Sequence, residues 1–324
     1  MRKYFLYSFV ALTLFSCISS QSVTEKTAGP DENAWRKQIK KQSQVIEKHP
    51  NWAEPFQLRG YAFYQVEDYV AAAKDFDMAL EQDPNYMLAY FNRGMTYLKL
   101  HKTHEAASDF HTILQRDSSH FKSHFQLGKL YFAEKNYAKA EEAFSNTLKA
   151  NNEYPLARHY RAACCFYQEK HESAIRDLTH ILYAKPEDMV ALTNRGLAQL
   201  SMREWEYALM DLGKAIKLDS TVGPAWYYQG LAQVEATKYD LAIPSLTKAI
   251  RIDPQNAYAY FYRGYAKLKM GQSAAARADF DQARLKNPSL NILEDAPLPD
   301  TRDQNLMLDP ASPRKQTNKA PSQD

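Results

Sequence analysis

The stretch Leu58–Pro84, LRGYAFYQVEDYVAAAKDFDMALEQDP, decides how the chain folds, because its landmarks return at a fixed step. Gly60 is followed by Gly94, Gly128, Ala162, Gly196, Gly230 and Gly264, each 34 residues after the last, with no insertion. Ala72 returns as Ala106, Ala140, Ala174, Ala208, Ala242 and Ala276. Phe76 returns as Phe110, Phe144, Leu178, Leu212, Leu246 and Phe280. A period of 34 belongs to stacked helix–turn–helix units. Within each unit a small residue on one helix lets a second helix approach closely, and a large apolar residue fills the seam.

Counting places from residue 53, these residues hold places eight, twenty and twenty-four of seven repeats. They resemble the tetratricopeptide repeat (TPR), whose pattern has a small residue at place eight, Ala at place twenty and often Pro at place thirty-two. Pro84, Pro186, Pro254 and Pro288 hold that last place, and each ends the second helix because proline has no N–H to donate. The resemblance implies an all-α, right-handed superhelix (an α-solenoid). Its repeats are 53–86, 87–120, 121–154, 155–188, 189–222, 223–256 and 257–288. Helix A takes about the first fourteen places and helix B follows a short turn, with Asp68 and Asn136 suited to cap their B helices. Pro244 falls inside helix B of repeat six, where a bend is expected.

Outward from the repeats, the first 17 residues have a basic start at Arg2 and Lys3, an apolar run from Tyr4 to Phe15, and then Ser16-Cys17. That run is too short to cross a bilayer, so residues 1–16 read as a signal peptide. Leu14-Phe15-Ser16-Cys17 resembles the bacterial lipobox, which implies a lipid on Cys17 as the first mature residue. Phe15 departs from the small residue usual there, and the alternative is a plain secretory signal. Residues 17–33 form a polar tether with a reach of about 50 Å when extended. Residues 34–52 read as a half repeat over the open end of the stack, with an amphipathic helix from Trp35 stopped by Pro50. Residues 289–324 carry Pro297, Pro299, Pro310, Pro313 and Pro321 in a polar run and read as mostly disordered, with Leu290, Ile292 and Leu293 available to cover the last repeat.

Composition narrows the function classes. With 45% hydrophobic and 24% charged residues, the 324-residue chain has ample material for a core. The formal charge of +3 falls to about +1 without Arg2 and Lys3, and no basic stripe speaks for nucleic acid. His104-Glu105 and His171-Glu172 begin like a zinc-protease motif, but Ser108 and Ile175 stand where its second His belongs. No phosphate-binding glycine loop and no GxSxG is present. His120 and His124, one turn apart, lack further ligands to complete a zinc site. Cys164 and Cys165 are neighbours in a helix, which favours packing over a disulfide. The chain therefore reads as a non-enzyme with no cofactor and no metal.

Two sets of residues recur by place. Arg59, Arg93, Arg161, Arg195 and Arg263 hold place seven, while Asp75, Asp109, Asp177, Asp211 and Asp279 hold place twenty-three of the same repeats. Repeats three and six lack both, having Leu127 with Ala143 and Gln229 with Ser245. Shared presence and absence point to ion pairs between helices A and B of one repeat. The inner face of the stack, at helix A places two, five, six, nine, twelve and thirteen, is rich in rings. The candidate partner groove comprises Tyr61, Tyr160, Tyr227, Tyr228, Tyr258, Phe261, Tyr262 and Tyr265, since tyrosine offers a rigid apolar face and a hydroxyl. Some TPR domains clamp a peptide carboxylate with Lys, Arg and Asn; Asn92 and Lys122 match that pattern, but Gln57, Tyr61 and Gln126 do not. The expectation is an exported scaffold for a protein or peptide partner, lipid-anchored at the outer membrane on its periplasmic or surface side. The alternatives are a glycan or peptidoglycan-fragment binder and, last, an enzyme.

Overall fold

The computed structural model describes residues 32–290 as fifteen α-helices, with no strand among them. Cys17, most of the tether and the tail beyond Leu290 lie outside the described residues. Helix α1 is Glu32–Lys48. It starts ahead of the expected Trp35, because Glu32 supplies an acidic first turn and binds Arg36 one turn on at 2.6 Å. Glu32 and Asn33 are therefore helical and not part of a tether.

Seven A–B pairs follow. They are α2 (Ala53–Gln65) with α3 (Tyr69–Gln82), α4 (Met87–Lys99) with α5 (Thr103–Arg116), and α6 (Phe121–Ala133) with α7 (Tyr137–Ala150). Next come α8 (Pro155–Tyr167) with α9 (His171–Ala184), and α10 (Met189–Ser201) with α11 (Trp205–Leu218). The last are α12 (Gly223–Glu235) with α13 (Tyr239–Ile252), and α14 (Ala257–Lys269) with α15 (Ser273–Lys286). The chain divides into two compact units, one ending at Tyr154 and one beginning at Pro155.

Each pair closes where place eight meets place twenty-four. A Cβ added to Gly128 would sit 2.6 Å from Phe144 Cε1, and one on Gly230 would sit 2.5 Å from Leu246 Cγ. Glycine there leaves room for the larger residue, which is fully buried in both cases. Repeat four meets the same need with Ala162 against Leu178, both fully buried. All seven place-twenty alanines are buried, as a close helix crossing requires.

The connections are built locally. Every A helix ends in a residue of left-handed conformation at place fifteen: Glu67, His101, Lys135, Glu169, Arg203, Thr237 and Gly271. Two reverse hydrogen bonds brace the turn, with Asp68 N–H donating to Phe63 C=O at 3.0 Å and Glu67 N–H to Tyr64 C=O at 3.1 Å in repeat one. Asp68 caps α3 through Ala71 N–H at 3.0 Å, and Asn136 caps α7 through Lys139 N–H at 3.3 Å. Between repeats an Asx turn takes over: Asp83, Asp117, Asn151, Asp219, Asp253 and Asn287 each accept from the N–H two residues on. Helix α13 runs through Pro244 from Tyr239 to Ile252; Ser245 and Thr247 hydroxyls donate back to Leu241 and Ile243 carbonyls around it.

Candidate functional site

The place-seven arginines are structural. Each grips the aspartate sixteen residues on with two hydrogen bonds, as in Arg195 Nε to Asp211 Oδ2 at 2.6 Å and Nη2 to Oδ1 at 2.8 Å. The same fork joins Arg59 to Asp75, Arg93 to Asp109, Arg161 to Asp177 and Arg263 to Asp279. Bidentate geometry with a mostly buried carboxylate makes these pairs unlike loose surface pairs. Repeats three and six fill the same slot differently: Leu127 and Ala143 are both buried and apolar, while Ser245 Oγ lies 3.4 Å from Gln229 Oε1.

Sequence reasoning missed the third bond of these arginines. Nη1 donates backward to the preceding B helix, from Arg59 to Ser43, Arg93 to Asp77, Arg195 to Thr179 and Arg263 to Thr247, at 2.7–3.1 Å. One guanidinium thus ties its own repeat to the one before it. A signal existed, since a small polar acceptor stands sixteen residues before each of those arginines. Before Leu127 and Gln229 that place holds His111 and Gly213.

Histidine and cysteine take local roles. His120 Nδ1 caps α6 at Ser123, His124 Nε2 meets Ser118 C=O at 2.9 Å, and His111 Nε2 meets Tyr131 Oη at 3.3 Å. Cys164 and Cys165 are buried free thiols. A shallow depression of about 240 Å³ opens beside Arg195 and Asp211, lined by Leu182, Tyr183, Pro186 and Lys214, and so lies off the inner face.

Helical geometry defines that face. At 100° per residue, place six stands about 160° from place eight, place nine about 100° and place five only about 60°. Because place eight meets helix B, place six points almost directly away from it and place nine to the side. In repeat one these places are open: Leu58 is 37% exposed, and Tyr61 is 39% exposed with Trp35 edge-on at 5.7 Å. Leu88, at place two of the next repeat, is 51% exposed.

The second unit differs. Tyr227, Tyr228, Phe261 and Tyr262 do gather, with Tyr227 5.2 Å from Tyr228 and 6.2 Å from Tyr262, and Phe261 5.3 Å from Tyr262. All four are buried, as is Tyr160. They form part of the core and not the exposed aromatic wall expected from their places. Tyr227 and Phe261, at place five, lean toward the neighbouring helices, and Phe261 lies 5.8 Å from Phe280 of its own B helix. Tyr258 and Tyr265 remain half-buried; Tyr265 has Lys269 Nζ 5.1 Å above its ring. Burial pushes the Tyr228 hydroxyl far above its ordinary pKa, and burial with the nearby Tyr69 pushes Tyr64 to about 12, so both stay neutral.

His159, at place five of α8, is buried, with Nε2 3.8 Å from Asp188 Oδ1 and no hydrogen-bond partner at Nδ1. Asp188 in turn caps α10 through Ala191 N–H at 3.0 Å. Burial opposes the Asp188 charge, but His159, the Ala191 N–H and Lys185 outweigh it and hold the carboxyl well below the usual carboxylate range. This cluster is a helix cap with a buried ring beside it. It offers a ligand one ring nitrogen.

Comparison with known proteins agrees with this geometry. Family models described as tetratricopeptide repeat match residues 58–120, 91–155, 125–188 and 258–289, and one described as TPR repeat matches 230–271. Together they span more than half of the chain. No curated protein matches it. Among solved structures, a tetratricopeptide repeat protein from Parabacteroides merdae is similar at 18% identity and TM-score 0.56, covering 72% of this chain and 93% of that one. The C-terminal part of a TPR repeat-containing protein from Cytophaga hutchinsonii is similar at 15% identity and TM-score 0.54, covering 86% and 95%. The APC/C hetero-tetramer Cut9-Hcn1 is similar at 14% and 0.53, covering 79% and 50%. At such identities the likeness is one of fold. Repeat period, helix-pair packing and family matches agree, and the chain belongs to the tetratricopeptide repeat family.

Proposed function

We propose that the chain is a non-catalytic interaction scaffold that holds a protein or peptide partner on the inner face of its A helices. The carrying observation is the open apolar row of the first unit, Leu58, Tyr61 and Leu88, at places turned aside or away from helix B. Large apolar side chains left in water on two neighbouring A helices fit partner binding better than folding. Membership of the tetratricopeptide family supports the same reading. The test is capture of partners from envelope extract by the wild-type chain and by a Leu58→Asp, Leu88→Asp variant. Loss of capture with helicity unchanged supports the row; unchanged capture refutes it.

A second reading has its own observation. Tyr61 and Trp35 stand edge-on and accessible, an arrangement on which a sugar ring would stack. A glycan and peptidoglycan-fragment panel that retains the chain through Tyr61 would favour this over a protein partner.

In the same proposal the scaffold is exported and held at a bacterial envelope membrane by lipid on Cys17. The support is the basic start, the short apolar run and the Leu14–Cys17 motif. Cys17→Ala is expected to move the protein from the membrane to the soluble fraction. Unchanged partition and mature mass would remove the anchor from the proposal.

A further inference from the structure

The B helices carry a face that packing does not explain. In the second unit each B helix packs on its own A helix, and α9, α11 and α13 pack also on the A helix that follows. Against these neighbours they bury places twenty, twenty-three, twenty-four and twenty-seven. Places nineteen, twenty-two, twenty-six and twenty-nine lie on the other side, three or four residues apart, and so form one stripe. Over α9, α11, α13 and α15 every residue of that stripe is exposed except Ser173, which is half-buried.

A solvated face mixes charges of both signs, and this stripe does not. Arg176, Lys214, Lys217, Lys248 and Arg251 stand on it, with no Asp or Glu. Among the described residues none of the five forms an ion pair. Large apolar side chains lie in water between them: Tyr183 is 90% exposed, Met210 70% and Tyr207 62%. Acidic residues stand at the stripe's edge, Glu172, Glu206 and Asp240 at place eighteen and Asp281 at place twenty-five. Of these, Glu206 pairs with Lys238 at 2.9 Å and Asp281 with Arg284 at 3.2 Å.

The same four places in the first unit serve as a control. There Lys74, Lys139 and Lys149 are balanced by Glu81, Glu105 and Glu142. The one large apolar residue among them, Met78, is half-buried. Since the helix frame is the same, folding requires neither the unbalanced cations nor the exposed rings. In the sequence the five cations are dispersed, and only the 34-residue register joins them.

We propose that this outer stripe of the second unit lies against an anionic phospholipid bilayer. Cations without counter-charges answer anionic headgroups, and the exposed Tyr, Met and Leu side chains among them enter the apolar boundary beneath. A nucleic acid would engage the cations and leave Met210 and Leu241 in water. The inference goes beyond the scaffold reading and uses none of its residues.

The test uses the full chain carrying Cys17→Ala, so that no lipid contributes, and sucrose-loaded vesicles of phosphatidylcholine alone or mixed with phosphatidylglycerol. Residues 1–16 are present in every variant, so any affinity of their apolar run cancels in the comparison. A cation near an anionic surface is worth about fivefold in partition. Lys217→Gln, Lys248→Gln and Arg251→Gln together should therefore weaken cosedimentation with the mixed vesicles about 100-fold. Lys74→Gln, Lys139→Gln and Lys149→Gln remove the same net charge from the first unit and should leave it within about threefold. All six side chains are exposed, and helicity is checked by circular dichroism. Tyr207→Ser with Met210→Ser should weaken binding as well, because the apolar contact is lost. No binding to the mixed vesicles, equal losses in the two triple variants, or no effect of the Tyr207 and Met210 changes overturns the proposal. So does tighter binding to duplex DNA or to polyglutamate at the same salt, since either reassigns the stripe. Partner capture through Leu58 and Leu88, and membrane partition through Cys17, are read on other substitutions, so their failure is separable from this one.

Discussion

Repeat three shows how the Arg195–Asp211 slot could be filled without charge. There, Leu127 and Ala143 hold the same two places, buried and apolar. We therefore expect Arg195→Leu alone to be costly and Arg195→Leu with Asp211→Ala to be mild. In the wild type the Asp211 side chain is 10% exposed and Arg195 21%, so the pair is largely out of water. Removing Arg195 leaves a buried carboxylate without its two donors, a loss of about 3–5 kcal/mol. Removing both charges replaces the pair with apolar groups, often close to neutral. What remains is the lost bond from Arg195 Nη1 to Thr179 at 3.0 Å, which is exposed and worth less than about 1 kcal/mol. The double variant should therefore lose no more than about 1.5 kcal/mol, at least about 1.5 less than Arg195→Leu alone. Lys214 lines the depression beside Asp211, so the cycle is repeated on Lys214→Ala to exclude a substitute cation. Repeat arrays need not unfold in one step, so hydrogen exchange over α10 and α11 is followed alongside urea unfolding by Trp205 and Trp226 fluorescence. Additive losses, or an Arg195→Leu cost below about 1 kcal/mol, would mean that water screens the pair and the slot is a surface pair.

Other outcomes follow from single positions. Thr237 is β-branched at φ 57°, where left-handed backbone costs about 1–2 kcal/mol; Thr237→Gly should stabilise by roughly 0.5–1 after glycine's entropy is subtracted, read as a rise in urea midpoint. Gly230→Ala puts a methyl 2.5 Å from Leu246 Cγ and 3.3 Å from its backbone N; overpacking of about 1–3 kcal/mol less about 1 of helix propensity predicts a net loss, and a gain would show a looser crossing. Asp188→Ala removes the α10 cap and should cost about 1–2 kcal/mol at neutral pH. Because the folded pKa of Asp188 lies below its unfolded value, its contribution is complete above about pH 4 and is lost as pH falls through the folded value. The gap between wild type and variant should therefore close in acid, and a gap that stays constant to pH 2 would detach the effect from the charge.

Much of this fold could be read from the chain because its packing repeats. Glycine, alanine and a large apolar residue at fixed places meet one another within a single helix pair, so 34-residue spacing alone reveals them. The arginine–aspartate pairs were legible for a related reason: they vanish together in repeats three and six. Their backward bonds to Ser43, Asp77, Thr179 and Thr247 were harder to see, since Ser, Thr and Asp serve equally as acceptors and no one residue type marks the place. The left-handed turn was harder still. Place fifteen holds Glu67, His101, Lys135, Glu169, Arg203, Thr237 and Gly271, all exposed. Backbone hydrogen bonds set that conformation, and the side chain has nothing to meet.

The aromatic face marks a different boundary. Helical periodicity assigned Tyr228 and Tyr61 to the same face of their respective helices. Periodicity reports the direction of a side chain from its own helix. Burial depends also on which neighbouring helices lie against it, as Tyr227 lies 6.2 Å from Tyr262. Tyr61 beside Trp35 is open, whereas Tyr228 and Tyr262 are sealed, although each has a ring at an inner place. Ring content alone therefore misjudged which of these rings are open. By exposure, the open surface is the aliphatic and aromatic row of Leu58, Tyr61 and Leu88 in the first two repeats, and substitutions aimed at an outside partner belong there before they belong at Tyr228, Tyr258 and Tyr265.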